Sequence, residues 1–76
     1  MLELRPSCEN CNKLLPPESD EARICTYECT YCQDCVENVL KNVCLNCGGN
    51  FVNRPIRPVK CLVNNPASTR VVYMPV

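Results

Sequence analysis

This chain of 76 residues has no histidine and no tryptophan, only one Phe and three Tyr, and just two glycines. Without histidine no Ser/His or Cys/His nucleophile pair can be assembled, and the usual His or mixed His/carboxylate sets of catalytic zinc are excluded. The two glycines are adjacent, Gly48-Gly49, so there is no glycine-rich phosphate loop. No apolar run approaches the roughly 18 residues of a membrane span. The opening residues Met1-Leu2-Glu3-Leu4-Arg5-Pro6 carry an acid and an early proline where a signal peptide would be apolar. The expectation is a cytoplasmic, non-enzymatic chain with no membrane partner and no small-molecule substrate.

Bulky apolar residues are scarce as well. Hydrophobic residues make up 46% of the chain, but nine of them are cysteines. Ordering a chain costs on the order of 1.5 kcal/mol per residue, and domains below roughly 70 to 80 residues seldom offset that by burial alone. Something other than an apolar core is needed to hold this one together.

Cysteine is what the chain has in quantity. Eight of the nine fall into close pairs, Cys8/Cys11, Cys25/Cys29, Cys32/Cys35 and Cys44/Cys47, with Cys61 left over. A disulfide framework calls for an oxidising compartment, and no secretion signal is visible. Four pairs match the needs of two tetrahedral four-thiolate zinc sites. An iron centre or a thiol redox pair uses the same Cys-x-x-Cys spacing and remains the chemical alternative. Each structural zinc contributes roughly 10 to 16 kcal/mol of folding free energy when its site is absent from the unfolded chain. The expected cofactors are therefore two Zn2+ ions.

From Cys8 to Cys47 the skeleton reads Cys-x2-Cys-x13-Cys-x3-Cys-x2-Cys-x2-Cys-x8-Cys-x2-Cys. This order resembles the RING finger family in its all-cysteine form. The resemblance implies interleaved sites, Cys8, Cys11, Cys32 and Cys35 at the first and Cys25, Cys29, Cys44 and Cys47 at the second. Spacing alone leaves the sequential alternative open, with Cys8/Cys11 joined to Cys25/Cys29 and Cys32/Cys35 to Cys44/Cys47. A local argument favours interleaving. Val36, Val39, Leu40 and Val43 recur at i, i+3, i+4 and i+7, with Glu37 and Lys41 spaced as an i, i+4 pair. That pattern predicts an amphipathic helix starting near Asp34 as its N-cap and lying over the second site's loops. Cys32 and Cys35 would then stand at a helix N-terminus, where free N–H groups favour thiolate, facing the upstream Cys8/Cys11 turn in a treble-clef-like arrangement.

Around this frame, Ala22 to Tyr31 alternates in parity and predicts a short strand or hairpin. Leu14-Leu15-Pro16-Pro17 and the acidic residues after it read as a loop, and Gly48-Gly49 suits a metal knuckle. Phe51-Val52 fits one further strand. Beyond it, Arg54-Pro55-Ile56-Arg57-Pro58 must be extended, and Val59 to Val63 can pair with Arg70 to Met74, a disordered tail being the alternative. The predicted fold is a small metal-stabilised α+β cross-brace, RING-like or treble-clef-like, with one short helix, a small β-hairpin and long loops. Residues 1–53 form the two-zinc domain and 54–76 a proline-rich basic extension.

The whole chain also resembles a small bacterial family of uncharacterised cysteine-rich proteins, domain of unknown function 1272. The opening Met1-Leu2-Glu3-Leu4-Arg5-Pro6, the cysteine skeleton and Arg54-Pro55-Ile56-Arg57-Pro58 carry that likeness. It implies no activity. Ubiquitin-ligase function, which the RING likeness alone would suggest, is not expected. The residues inside the first pair are Glu9-Asn10 instead of including an aliphatic, no Trp is available to dock a conjugating enzyme, Leu45-Asn46 lacks the usual proline, and Gly48 stands where a base often follows.

All eight acids lie in residues 1–37, whereas residues 38–76 hold Lys41, Arg54, Arg57, Lys60 and Arg70 with no acid. With saturated metal sites and no catalytic groups, the leading expectation is a zinc scaffold that binds another protein, through Leu14, Leu15 and the Arg54 to Lys60 segment. The alternative is a nucleic-acid-binding module using Arg54, Arg57, Lys60 and Arg70, with steep salt dependence. Zinc storage or redox sensing is a third reading. Cys61, without a close partner, is expected to be a small apolar residue or a bystander.

Overall fold

The computed structural model describes residues 1–75; Val76, the end of the expected C-terminal extension, lies outside the described residues. The alternating segment does fold into a hairpin, β1 (Ala22–Ile24) against β2 (Thr30–Cys32), antiparallel with Ala22 opposite Cys32 and Ile24 opposite Thr30. Its loop is the Cys-x3-Cys segment itself. Cys25 N–H donates to Cys29 O, Glu28 N–H donates to Cys25 O, and Glu28 takes a φ of 63° to close the turn. The strand expected at Phe51-Val52 is β3 (Val52–Asn53), which pairs with the other edge of β1 and gives the order β2-β1-β3.

The helix α1 (Gln33–Asn38) follows β2 without a linker, but it is shorter than the hydrophobic spacing predicts. Cys32, not Asp34, is its N-cap, and Asp34 lies in the first turn. Val36 and Leu40 are buried, while Val39 and Val43 are each 50% exposed, so only half of the predicted stripe faces the core. The helix is capped at Val39, and the chain turns away at Lys41 and Asn42, both left-handed at φ 53° and 62°, where Asn42 Oδ1 accepts the Phe51 N–H at 3.1 Å. Asparagine tolerates that conformation better than most residues. The early exit turns the chain back toward Cys44 instead of carrying Val43 along the core.

Val59–Leu62, expected as a strand, forms a second short helix, α2, after Pro58, whose fixed φ suits a helix start. Residues 63–75 have no regular structure and run back across the N-terminal segment. Ser68 N–H donates to Leu4 O at 3.0 Å and Met74 N–H to Glu9 O at 2.7 Å. Ser68 Oγ and Arg70 Nε both reach the Glu3 carboxylate.

The core lies between α1, the sheet and the cysteine loops. Leu15, Ala22, Tyr31, Val36, Leu40 and Phe51 pack with Cys8, Cys25, Cys29, Cys32, Cys35 and Cys44 in one cluster, and Tyr31 meets Phe51 edge-to-face at 5.4 Å. Leu15 is therefore a core residue and not a contact for a partner, whereas its neighbour Leu14 is 77% exposed. Arg54 is also buried. Its guanidinium donates to the carbonyls of Arg5 (2.8 Å), Leu15 (3.0 Å) and Pro16 (3.0 Å), tying β3's exit to two distant segments.

Candidate metal centre

The first site is assembled from two kinds of local structure. Cys8 and Cys11 come from a tight turn held by Asn12 N–H donating to Cys8 O, with Asn12 left-handed at φ 64°. Cys32 ends β2 and caps α1, and Cys35 lies in that helix's first turn. The four sulfurs lie within 4.8 Å of one another. Cys11 Sγ and Cys32 Sγ are 3.6 Å apart. Zinc–sulfur bonds of about 2.3 Å in a tetrahedron place the sulfurs about 3.8 Å apart, so the set fits such an ion.

At the second site Cys25 stands at the start of the hairpin loop, and Cys44 and Cys47 lie on a turn closed by Gly48 N–H donating to Cys44 O, with Gly48 at φ 77°. These three sulfurs also lie within 4.8 Å of one another. Cys29 is buried on the same hairpin loop but falls outside that mutual distance; its sulfur accepts a hydrogen bond from Asn46 Nδ2 at 3.4 Å. The first pair thus joins the third, and Cys25 of the second pair joins the fourth. The sequential arrangement is not the one formed. Cys61, on α2, belongs to neither cluster.

The electrostatics are those of sulfurs crowded without a hydrophobic purpose. Burial pushes the Cys25 and Cys35 thiols up to about 12. At Cys8 burial acts in the same direction, but backbone N–H groups of Cys11, Cys32 and Asn10 outweigh it and lower the thiol. The Thr26 hydroxyl, 3.2 Å from Cys47 Sγ, together with the Gly49 N–H, draws Cys47 down to about 6. Each cluster therefore aims N–H donors at sulfur, the second adding the Thr26 O–H, while crowding the sulfurs against one another. Donors favour thiolate, and mutual proximity makes several thiolates untenable unless a cation sits among them.

Asn10 and Asn46 were not singled out by the sequence reading, although a signal was there. Cys8-Glu9-Asn10-Cys11 and Cys44-Leu45-Asn46-Cys47 share the pattern Cys-x-Asn-Cys, each followed by a residue suited to left-handed φ. Next to the second cluster lies an open groove of about 460 Å3, lined in part by Arg5, Glu9, Tyr27, Tyr31, Leu45 and Met74. Glu9, one of its lining residues, is buried, with Oε2 2.6 Å from both Arg5 Nη1 and Thr30 N, which donate to it. Among the described residues, no helix is long and apolar enough to cross a membrane.

A small α+β chain whose cysteine pairs interleave into two metal-competent clusters defines the class. The profile of the family described as "Protein of unknown function (DUF1272)" matches residues 1–57, and the chain belongs to that family. It is 53% identical over 75 residues to "Uncharacterized protein R02474" of Rhizobium meliloti (strain 1021), covering 99% of this chain and 89% of that protein. No solved structure matches.

Proposed function

We propose that the chain is a two-zinc structural scaffold whose role is to present a surface to another protein. The observation that carries this reading is the interleaving of all-sulfur clusters, Cys8/Cys11/Cys32/Cys35 and Cys25/Cys44/Cys47. Thiolate-only sets suit structural zinc. Cys29 would complete the second set, because it is buried on the same loop as Cys25 and receives from Asn46 the same kind of amide contact that Cys35 receives from Asn10. When bound, each zinc cross-links a Cys-x2-Cys turn to the hairpin or to the start of α1. Four sulfurs per ion leave no position for a catalytic water, in keeping with a non-enzymatic role.

In this reading residues 1–53 are the zinc domain, 54–76 an extension whose described residues pack against it, and the protein works in the cytoplasm. Exposed apolar side chains support a protein partner. Tyr27, Leu45 and Met74, at the rim of the groove, are each at least 65% exposed, and Leu14 is another. The nucleic-acid reading loses support, since Arg54 is buried on carbonyls and Arg57 donates to Asn65 O and Leu2 O at 2.7 Å each. Of the four cations it needed, Arg70 is also paired with Glu3.

Native mass spectrometry on protein expressed in zinc medium tests the metal assignment. The parent is expected to carry two zinc ions, Cys32→Ser to lose the first and Cys25→Ser or Cys29→Ser to lose the second. A metal-free mass, or one lowered by disulfide formation, overturns it. For the partner, tagged zinc-loaded protein should recover a protein that a cysteine-to-serine control does not. Recovery of nothing above that control overturns the scaffold role.

A further inference from the structure

Each Cys-x-Asn-Cys turn uses its asparagine to reach outside the turn. In both, the first cysteine's sulfur accepts the backbone N–H two residues on, Asn10 N to Cys8 Sγ and Asn46 N to Cys44 Sγ, each at 3.4 Å. In both, the first cysteine's carbonyl accepts the N–H of a left-handed residue four positions on, Asn12 or Gly48. These backbone contacts stay within the turn and do not depend on the identity of the middle residue. The side chains do something else. Asn10 Nδ2 donates to Cys35 Sγ at 3.2 Å, across to α1, and Asn46 Nδ2 donates to Cys29 Sγ at 3.4 Å, across to the hairpin loop. The two sulfurs reached are the second members of the partner pairs, Cys32/Cys35 and Cys25/Cys29.

We infer that Asn10 and Asn46 are equivalent positioning residues, each holding the last sulfur of one metal site by a cross-pair N–H···S bond and so setting how slowly that site releases its ion. The inference rests on the two-zinc reading and adds to it a residue outside the ligands and a division of labour between the sites. Four thiolates around a divalent cation leave a net charge of minus two, and an N–H aimed at one sulfur offsets part of it without competing for the metal. Backbone donors already serve Cys8 and Cys44, whereas Cys35 and Cys29 lie at 25 and 17 residues' separation from the asparagine that reaches them. Removing the amide takes from Cys35 or Cys29 the donor that reaches it from another segment, so that sulfur leaves the ion more easily. An Asp in its place has nearly the same shape but points carboxylate oxygen at thiolate, so it is worse than a plain truncation.

The test uses the full zinc-loaded chain and the variants Asn10→Ala, Asn10→Asp, Asn46→Ala and Asn46→Asp. Zinc transfer to a chromogenic chelator is timed, and the cadmium-113 spectrum of the cadmium-substituted proteins identifies the affected ion. Each Ala variant is expected to bind two ions and release one of them about 10-fold faster, the other at the parental rate, with the Asp variant faster still. One cadmium resonance should shift in each variant, a different one for Asn10 than for Asn46. Parental release from both sites, or equal acceleration of both ions by a single variant, overturns the inference while leaving two zincs in place. A parent that binds no metal overturns the two-zinc reading and this inference together.

Discussion

Chelation of the metal under reducing conditions at neutral pH is expected to abolish the folded state, not merely to lower its melting temperature. Half of the residues in the core cluster are cysteines, and the apolar remainder is Leu15, Ala22, Tyr31, Val36, Leu40 and Phe51. Secondary structure cannot make up the difference. The helices are six and four residues long and the strands three, three and two. Isolated helices shorter than about 12 residues are marginal in water, and a two-stranded hairpin is marginal on its own. The two structural zinc ions proposed above, at roughly 10 to 16 kcal/mol each, would exceed the roughly 5 to 15 kcal/mol net stability of an ordinary domain.

On the two-zinc reading, removing the ions would also turn the clusters from support into a cost. Cys25 and Cys35 are held up to about 12 by burial, so without a cation their thiols stay protonated and no longer bind the segments to one another. The measurement is the amide proton–nitrogen spectrum before and after a strong chelator, with reductant present to exclude disulfides. Collapse to narrow proton dispersion, reversed by zinc, is the expected result. A chelated, reduced chain that keeps its dispersed spectrum and a cooperative unfolding transition would show that the apolar cluster suffices, and would remove the argument for metal dependence.

How much of this was legible beforehand depended on which physical constraint dominated locally. The alternation of Ala22 to Tyr31 led to the hairpin because it expresses short-range geometry, whereas spacing alone left two pairings of the cysteines open, and the interleaved one followed from the RING resemblance and the expected helix start at Cys32 and Cys35. The length of α1 was not legible in the same way. Val36, Val39, Leu40 and Val43 satisfy helical periodicity, yet Lys41 and Asn42 take left-handed φ so that Cys44 can reach the second cluster, and this long-range demand overrides the local pattern. Val59 to Val63 was expected either to pair with Arg70 to Met74 or to lie in a disordered tail, but residues 70–74 run back toward Glu3 and Glu9, leaving that segment no partner strand among the described residues. Leu14 and Leu15 are indistinguishable by type, and it takes long-range contacts, the Leu15 N–H to Pro6 O bond, the Ser7–Leu14 bridge and the Arg54 bond to Leu15 O, to distinguish the buried one from the exposed one.

Arg54→Ala is expected to destabilise the zinc-loaded protein by about 3 kcal/mol or more, the largest effect of any change outside the cysteines. Arginine in a proline-rich basic tail ordinarily reads as a surface charge, yet this residue is 4% exposed and its cationic head meets three carbonyl oxygens and, among the described residues, no carboxylate. Hydrogen bonds to a charged group contribute about 1.5 to 3 kcal/mol each, and truncation leaves the buried Leu15 carbonyl without its donor. Burial lowers the Arg54 pKa, but an arginine remains charged at neutral pH. The bonds span 49, 39 and 38 residues of sequence, so their loss frees β3's exit from both the N-terminal segment and the Leu15-Pro16 loop. For a chain of this size about 3 kcal/mol corresponds to a drop in Tm on the order of 10 to 20 °C. Arg54→Lys keeps the charge, but its single ammonium cannot reproduce the planar fork, and an intermediate loss is expected. Zinc content should remain at two in both variants, since no cysteine is touched, which separates this defect from metal loss. Denaturant unfolding of parent and variants decides it. A change within about 0.5 kcal/mol, the range of ordinary surface substitutions, would mean that Arg54 does not hold these segments together and would return it to the pool of cations available to a partner.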